Sequence, residues 1–158
     1  MRLARTIQGG GIGPADLGFL ECCCSAVIAG IVEVAVKTAR RQLVARGDRL
    51  GAYERVEWAR AEIEAWLVEA AFRAMLQSVE AGSDAFQPVL MGKTAVADLA
   101  ESALRRICRA IGGGSYNRGS PFGHWFEDVR ALGFLRPPWG AGYAALIDKL
   151  FVADGDSG

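Results

Sequence analysis

The chain has 158 residues, a formal net charge of zero and 51% apolar residues. This length predicts one compact domain, and the composition is that of a globular protein and not of a disordered one. A chain without net charge is not expected to bind nucleic acid or an anionic membrane through bulk electrostatics. The most apolar stretch, residues 22–32, is too short to cross a bilayer, so we expect no membrane span and a cytoplasmic protein.

The first predicted helix covers residues 14–46. Pro14 suits a first helical turn, and Gly47 suits the position just after a helix end. Apolar residues recur at spacings of three and four, which predicts one buried stripe. Its members are Leu17, Leu20, Cys24, Val27, Ile28, Ile31 and Ala35.

The second predicted helix covers residues 52–79 and carries two apolar stripes. One contains Val56, Ile63, Leu67, Ala70 and Ala74, and the other contains Trp58, Ala65, Phe72 and Leu76. Two stripes on one helix indicate burial on two sides, either within a bundle or at a subunit interface.

A third long helix is predicted over residues 84–111, followed by short helices over 121–132 and 142–152. No segment of useful length alternates between apolar and polar residues as a half-buried strand would. Three long and two short helices predict an all-α, up-down bundle over residues 14–152. Residues 1–13 are interpreted as a glycine-rich connector and residues 153–158 as a disordered tail.

The four cysteines do not predict a metal site or a disulfide framework. Cys22, Cys23 and Cys24 are consecutive in a helix, so their side chains point about 100° apart, and Cys108 is distant in sequence. We interpret them as small buried hydrophobes.

The glycine run 112–114 has two interpretations. It can end the third helix and form a tight turn, or it can let bare backbone approach a phosphate group. The glycines alone do not decide between these possibilities.

The order of these features resembles the C-terminal helical domain of the acyl-CoA dehydrogenase flavoproteins. In that family the third bundle helix carries an early Lys, ends in a Gly-Gly turn and is followed by a Tyr, a Pro and an Arg-Asp-x-Arg segment. The residues that match are Lys93, Gly112, Gly113, Tyr116, Pro121, Asp128 and Arg130. Asp128 and Arg130 are expected to form a buried pair. Around the start of the second helix, Gly47, Leu50, Tyr53 and Trp58 fit the family pattern.

The resemblance implies FAD as cofactor and an acyl-CoA-type substrate. In the family, FAD lies between domains and across a dimer interface, and this helical domain contacts its ADP part. Gly112 and Gly113 are then expected to present backbone to the pyrophosphate, with Arg109 in place of a family Gln. Leu50 and Tyr53 are expected to line the adenosine side, and Arg46 lies near the position of a family Arg.

The catalytic base departs from the family pattern. Many members carry a Glu in the turn before the last helix, where this chain has Trp139, and some place the Glu on the first helix, close to Glu21. Glu21 is therefore the candidate base, and the alternative is a solvated residue near the helix start. Glu54 and Glu127 also replace a family Gln and Arg.

The sequence therefore predicts the C-terminal domain or a subunit of an acyl-CoA dehydrogenase-like flavoenzyme, which contributes contacts to FAD and an oligomer interface. A flavin-binding partner or domain has to complete it. The alternative is a catalytically inactive helical interaction module derived from that family.

Overall fold

A computed structural model describes residues 14–82, 85–135 and 139–152, and side chains within 17–82, 85–135 and 142–148. These residues form five α-helices and contain no strand: α1 (Pro14–Arg46), α2 (Ala52–Ala81), α3 (Phe86–Ile111), α4 (Phe122–Phe134) and α5 (Trp139–Val152). Short 3₁₀ turns follow α1 at Gly47–Arg49 and α3 at Gly112–Tyr116. The predicted all-α bundle of three long and two short helices is confirmed. The predicted connector 1–13 and tail 153–158 lie outside the described residues.

Glycines with positive φ end the helices α2 and α3. Gly82 has φ +72° and donates its N–H to the carbonyl of Val79, and Gly112 has φ +77° and donates to Cys108. L-residues with a side chain rarely adopt such angles, so glycine at these positions stops each helix at low cost.

The directions of the helices follow from side chains that meet at each end of the bundle. The start of α1 meets the start of α3 through Glu21 and Lys93, and the end of α1 meets the end of α3 through Arg46 and Ala110. The start of α2 lies at that second end, where Glu57 pairs with Arg106 and Arg109 of α3. Hence α1 and α3 run parallel to each other, and α2 runs antiparallel to both.

Helix α3 is the centre of the domain because it packs against each of the other four helices. Its apolar residues Val96, Ala103, Ile107 and Ala110 are buried, and α1, α2 and α4 each turn one face toward it. The core consists of small and branched side chains: Ile28, Val32, Ala35, Ala39, Ala61, Val68, Met75, Val89, Val96, Ala100, Leu104, Ile107, Phe122, Val129 and Leu132.

The predicted stripe of α1 is rotated relative to the face that is buried. Ile28 and Ala35 are buried as expected, but Leu20 and Val27 are exposed, and Glu21 and Ser25 lie inside instead. The first half of α1 is apolar on nearly all sides, so periodicity does not distinguish its core face from its outer face. The cysteines divide in the same way, since Cys22 is buried but Cys23 is exposed.

Helix α1 is also the one described helix whose length and hydropathy would allow it to cross a membrane. The apolar window has a mean hydropathy of 2.1 and is 39% buried inside the bundle. Core helices of water-soluble proteins pass the same test, so this composition does not establish a span.

The two apolar stripes of α2 differ in burial. Trp58, Ala65 and Phe72 of the second stripe pack partly against the core, whereas Val56 and Ile63 of the first stripe are exposed. The buried seam lies between the two stripes and contains Glu57, Ala61, Val68 and Met75.

Helices α2 and α3 approach most closely at Gly92. A Cβ atom there would lie 2.2 Å from Cγ of the buried Met75 and 3.2 Å from the backbone oxygen of Ala71. We expect Gly92→Ala to lower the free energy of unfolding by about 1–3 kcal/mol, because a packed interface has to open. The control is Gly30→Ala in α1, where a Cβ meets nothing within 4 Å and alanine should stabilise the helix by about 0.5–1 kcal/mol. Equal effects of the two substitutions in urea denaturation would contradict the close contact.

Candidate cofactor site

The end of α1, the start of α2 and the end of α3 converge at one end of the bundle. The Arg46 guanidinium holds them together: its Nη1 donates to the backbone oxygens of Ala110 at 2.9 Å and Ile111 at 3.2 Å. Its Nη2 lies 3.5 Å from the carboxylate of Glu54. A cation at a helix C-terminus satisfies carbonyls that lack a partner within the helix. The Arg46 side chain is therefore engaged by the protein and braces the glycine turn.

A pocket of about 560 Å³ lies where α3 ends and α4 begins. Its lining combines two cations, bare backbone and two aromatic rings: Arg105, Arg109, Gly112, Gly113, Tyr116 and Phe126, together with Cys108, Ser115 and Gly123. The structure thus brings three of the six predicted cofactor residues, Arg109, Gly112 and Gly113, into one pocket.

The backbone of the glycine turn is accessible from the pocket side. A Cβ atom at Gly112 or at Gly113 would meet nothing within 4 Å. Gly112 ends α3, as the first interpretation of this run expects, and the turn leaves space beside its main-chain atoms, so the two interpretations are compatible.

Arg109 is held at the edge of this pocket by a buried carboxylate. Its Nη1 lies 3.6 Å from Oε2 of Glu57, and its side chain is 51% exposed. Oε2 of Glu57 has no hydrogen-bond partner, so the attraction is electrostatic and leaves the guanidinium donors of Arg109 accessible. Arg109 can therefore meet an anion without losing its own counter-charge.

A second arginine completes the polar contact between α2 and α3. Arg106 donates to Glu64 at 2.7 Å and to Glu57 at 3.2 Å, and Ser102 donates to the same oxygen of Glu64. The hydrogen bond with Glu64 raises the pKa of Arg106. The sequence interpretation missed this network, although Glu57 and Glu64 share the face of Ala61 and Val68, a signal that both carboxylates need a buried cation.

Cys108 and Ser115 form the floor of the pocket. Burial raises the pKa of the Cys108 thiol, and a hydrogen bond with Ser115 acts in the opposite direction. A thiol in such surroundings stays protonated at neutral pH and is a poor nucleophile. The Ser115 hydroxyl donates to the Gly112 carbonyl at 2.8 Å, which fixes the shape of the turn.

The predicted adenosine residues lie at this end of the bundle but outside the pocket lining. Leu50 is half-buried at the end of the first 3₁₀ turn, and Tyr53 is 60% exposed on the first turn of α2. They belong to an adjoining surface that Arg46 and Glu54 connect to the glycine turn.

Glu21, the candidate base, lies at the opposite end of α1. Twenty-five residues at 1.5 Å each place it about 37 Å along the helix from Arg46. Its Oε2 is 2.9 Å from Nζ of Lys93, and the two side chains are only 8% and 4% exposed. The alternative of a solvated Glu21 is wrong. The Glu21 carboxylate is enclosed beside Lys93, so a substrate would have to open this contact to reach it, and the geometry favours a counter-ion over a base.

The predicted burial of Asp128 and Arg130 as a pair is also wrong. Both residues are exposed on α4. Arg130 lies 3.8 Å from Glu101 of α3 and stacks 5.8 Å above the ring of Phe126. Among the described residues, no group of three or more His, Cys, Asp or Glu could hold a metal ion.

Comparisons with known proteins agree with this fold. The family model of the acyl-CoA dehydrogenase C-terminal domain matches residues 20–136. The crystal structure of nitrososynthase from Micromonospora carbonacea var. africana has a TM-score of 0.75 and 23% sequence identity over 87% of this chain. This chain spans only 41% of the length of that nitrososynthase, and a comparison with curated protein sequences gave no match. The chain belongs to the acyl-CoA dehydrogenase family, whose C-terminal helical domain it contains.

Proposed function

We propose that this domain binds the ADP part of FAD in an acyl-CoA dehydrogenase-like flavoenzyme and forms part of its oligomer interface. The observation that carries the proposal is the pocket at the end of α3, where Arg105 and Arg109 face bare backbone at Gly112 and Gly113. Guanidinium groups and accessible main chain suit a pyrophosphate.

The same pocket offers a surface for a flat ring. Tyr116 is exposed, and Phe126 is half-buried beside the glycine turn. Aromatic faces suit an adenine base, and the outer surface with Leu50 and Tyr53 extends in the direction of the first turn of α2. A dinucleotide therefore matches the chemistry of this end better than a simple inorganic anion.

The remainder of the enzyme has to come from outside these 158 residues. FAD would accept the electrons from the acyl-CoA substrate, and the residues of this chain reach only its nucleotide end. Because the chain spans 41% of its structural neighbour, further domains or a partner subunit are expected to enclose the isoalloxazine and the substrate. We expect the isolated chain to bind FAD weakly or not at all.

Two substitutions test the site in the assembled flavoprotein. Gly113→Val adds bulk where backbone meets the pyrophosphate, and Arg109→Ala removes a pocket cation. Since a hydrogen bond to a charged group contributes about 1.5–3 kcal/mol, Arg109→Ala should weaken FAD retention at least tenfold. The control is Arg73→Ala, an exposed arginine paired with Glu69 away from the pocket. Flavin absorbance after gel filtration measures retention, and unaltered yellow protein for both pocket variants would refute the site.

The exposed apolar stripe of α2 supports the proposed oligomer interface. Val56, Ile63 and Leu67 recur on one helical face, and Ala70 and Ala74 continue it with small side chains. Exposed apolar side chains that recur on one helical face support an association surface. The same face is the specific observation in favour of the alternative, an inactive interaction module.

We expect the isolated chain to be oligomeric at tens of micromolar and Ile63→Glu to dissociate it. Ile63 is 59% exposed at the centre of the stripe, so a charge there has to be buried in any interface that uses this face. Val44→Glu is the matched control, because Val44 is also apolar and is 73% exposed but lies on α1 outside the stripe. Light scattering that shows a monomer for the unaltered chain would contradict the interface.

A further inference from the structure

Lys93 joins three elements of the bundle at a single ammonium group. Its Nζ lies 2.9 Å from Oε2 of Glu21 on α1 and donates a hydrogen bond of 3.1 Å to the backbone oxygen of Leu135. Leu135 is the residue that ends α4, and its own N–H is already bonded to Leu132. A buried ammonium on α3 therefore holds both the start of α1 and the beginning of the connection from α4 to α5.

Two further contacts attach α5 to the same face of α3. A Cβ atom at Gly142 would lie 3.5 Å from Oγ1 of Thr94, which shows how closely the helices approach there. The hydroxyl of Tyr143 donates to Asp98 one turn further along α3. Apart from α3, no described helix makes extensive contact with α5. The position of α5 consequently depends on a short stretch of α3 that begins at Lys93.

We propose that Lys93 is a positioning residue that fixes Leu135, at the end of α4, against α1, and thereby the start of α5, with Glu21 as its counter-ion. An ammonium group has three donors and can serve a carboxylate and a carbonyl at once. The two partners have different roles: Leu135 receives the positional constraint, and Glu21 supplies a negative charge beside the buried ammonium group.

For the proposed enzyme, on which this consequence rests, Lys93 positions the start of α5 and not the nucleotide pocket. Sixteen residues separate Lys93 from Arg109, about 24 Å along α3. Loss of the Lys93 contact should therefore disturb the start of α5 and leave the retention of FAD unchanged.

Amide hydrogen exchange of the 158-residue chain separates the two roles of Lys93. In Lys93→Met, and equally in the double variant Glu21→Leu/Lys93→Met, amides of α5 should exchange about tenfold faster or more, because no donor holds Leu135. Lys93→Arg, which keeps charge and donors, should retain most of the protection. The double variant removes the unpaired charge, so it stays folded if the single variant does not.

The control is Val96→Ala, a fully buried residue of α3 away from this contact, which should weaken protection throughout the bundle. Unchanged protection of α5 in the double variant, or a loss spread evenly as in Val96→Ala, would overturn the proposal. In the assembled flavoprotein the double variant should slow flavin reduction with FAD fully retained. Because the exchange experiment needs no flavin, a failure of the proposed function does not affect its outcome.

Discussion

Replacing Arg106 by methionine should lower the free energy of unfolding by about 3–5 kcal/mol, one of the two largest effects expected in this chain. Arg106 lies between Glu57 and Glu64, whose side chains are 5% and 15% exposed. Methionine has a similar length but offers no charge and no donor, so both carboxylates lose a hydrogen bond inside the α2–α3 contact. Removal of one partner of a buried pair costs much more than the pair itself contributes.

The matched control is Arg73→Met, which breaks an exposed pair with Glu69 on the same helix as Glu57 and Glu64. Exposed pairs of this type contribute about 0–1 kcal/mol. Urea denaturation monitored by circular dichroism measures both variants. Equal costs would show that the α2–α3 network is solvated and not buried.

The Arg106 variant also links the network to the cofactor pocket. Without Arg106, the carboxylate of Glu57 has Arg109 as its nearest cation, 3.6 Å away in the present structure. Arg109 should then move toward Glu57 and away from the pocket, so FAD retention in the assembled protein should fall together with stability. Arg109→Ala, by contrast, should affect retention more than stability, because its side chain is half exposed.

The helices of this fold were predictable because their signals are local. Pro14 begins α1 and the residues around Gly47, Gly82 and Gly112 end the three long helices, in agreement with the predicted bounds to within two residues. Capping and backbone strain depend on a few neighbouring residues, which a sequence displays directly. The same information does not fix which side of an apolar helix faces the core.

The exposed apolar residues show why the sequence did not identify the buried face of α1 and α2. Leu20 and Val27 of α1 and Ile63 of α2 satisfy a helical period as well as the buried residues do. An apolar surface that binds another domain or subunit has the same helical period as a core face. One helix can therefore carry two overlapping apolar stripes, and the period does not distinguish them.

In the candidate site, too, the contacts within one segment were predicted and the contacts between helices were not. Arg109, Gly112 and Gly113 were predicted together from the family resemblance, and they share a pocket because all three adjoin the end of α3. The partners of Glu21 and of Glu57 lie on other helices, far apart in sequence, and charge periodicity along one helix does not reveal them. Glu21 was expected to be either a base or a solvated residue, and a buried counter-ion is a third possibility that only the packing of α1 on α3 shows.

The Glu21–Lys93 pair supplies the second large effect. Glu21→Gln and Lys93→Met should each lower the free energy of unfolding by about 3–5 kcal/mol, since each removes one member of a buried ion pair. Glu21→Leu/Lys93→Met should lie between neutral and about 1–4 kcal/mol more stable than the unaltered chain, because apolar replacements of a buried pair remove the desolvation cost of both ions. A double variant as unstable as the two single variants combined would show that the two residues act independently.

The same variants decide whether Glu21 takes part in catalysis. Loss of a general base typically slows a reaction by about 10²–10⁴. The Glu21 carboxylate is buried between α1 and α3 beside Lys93, where a substrate does not reach it unless this contact opens. We therefore expect Glu21→Gln, measured per folded molecule in the assembled flavoprotein, to lose stability and to keep its rate of flavin reduction. A fall of 10²–10⁴ with FAD still bound would instead identify Glu21 as the base, and it would require the substrate to displace Lys93 from its side chain.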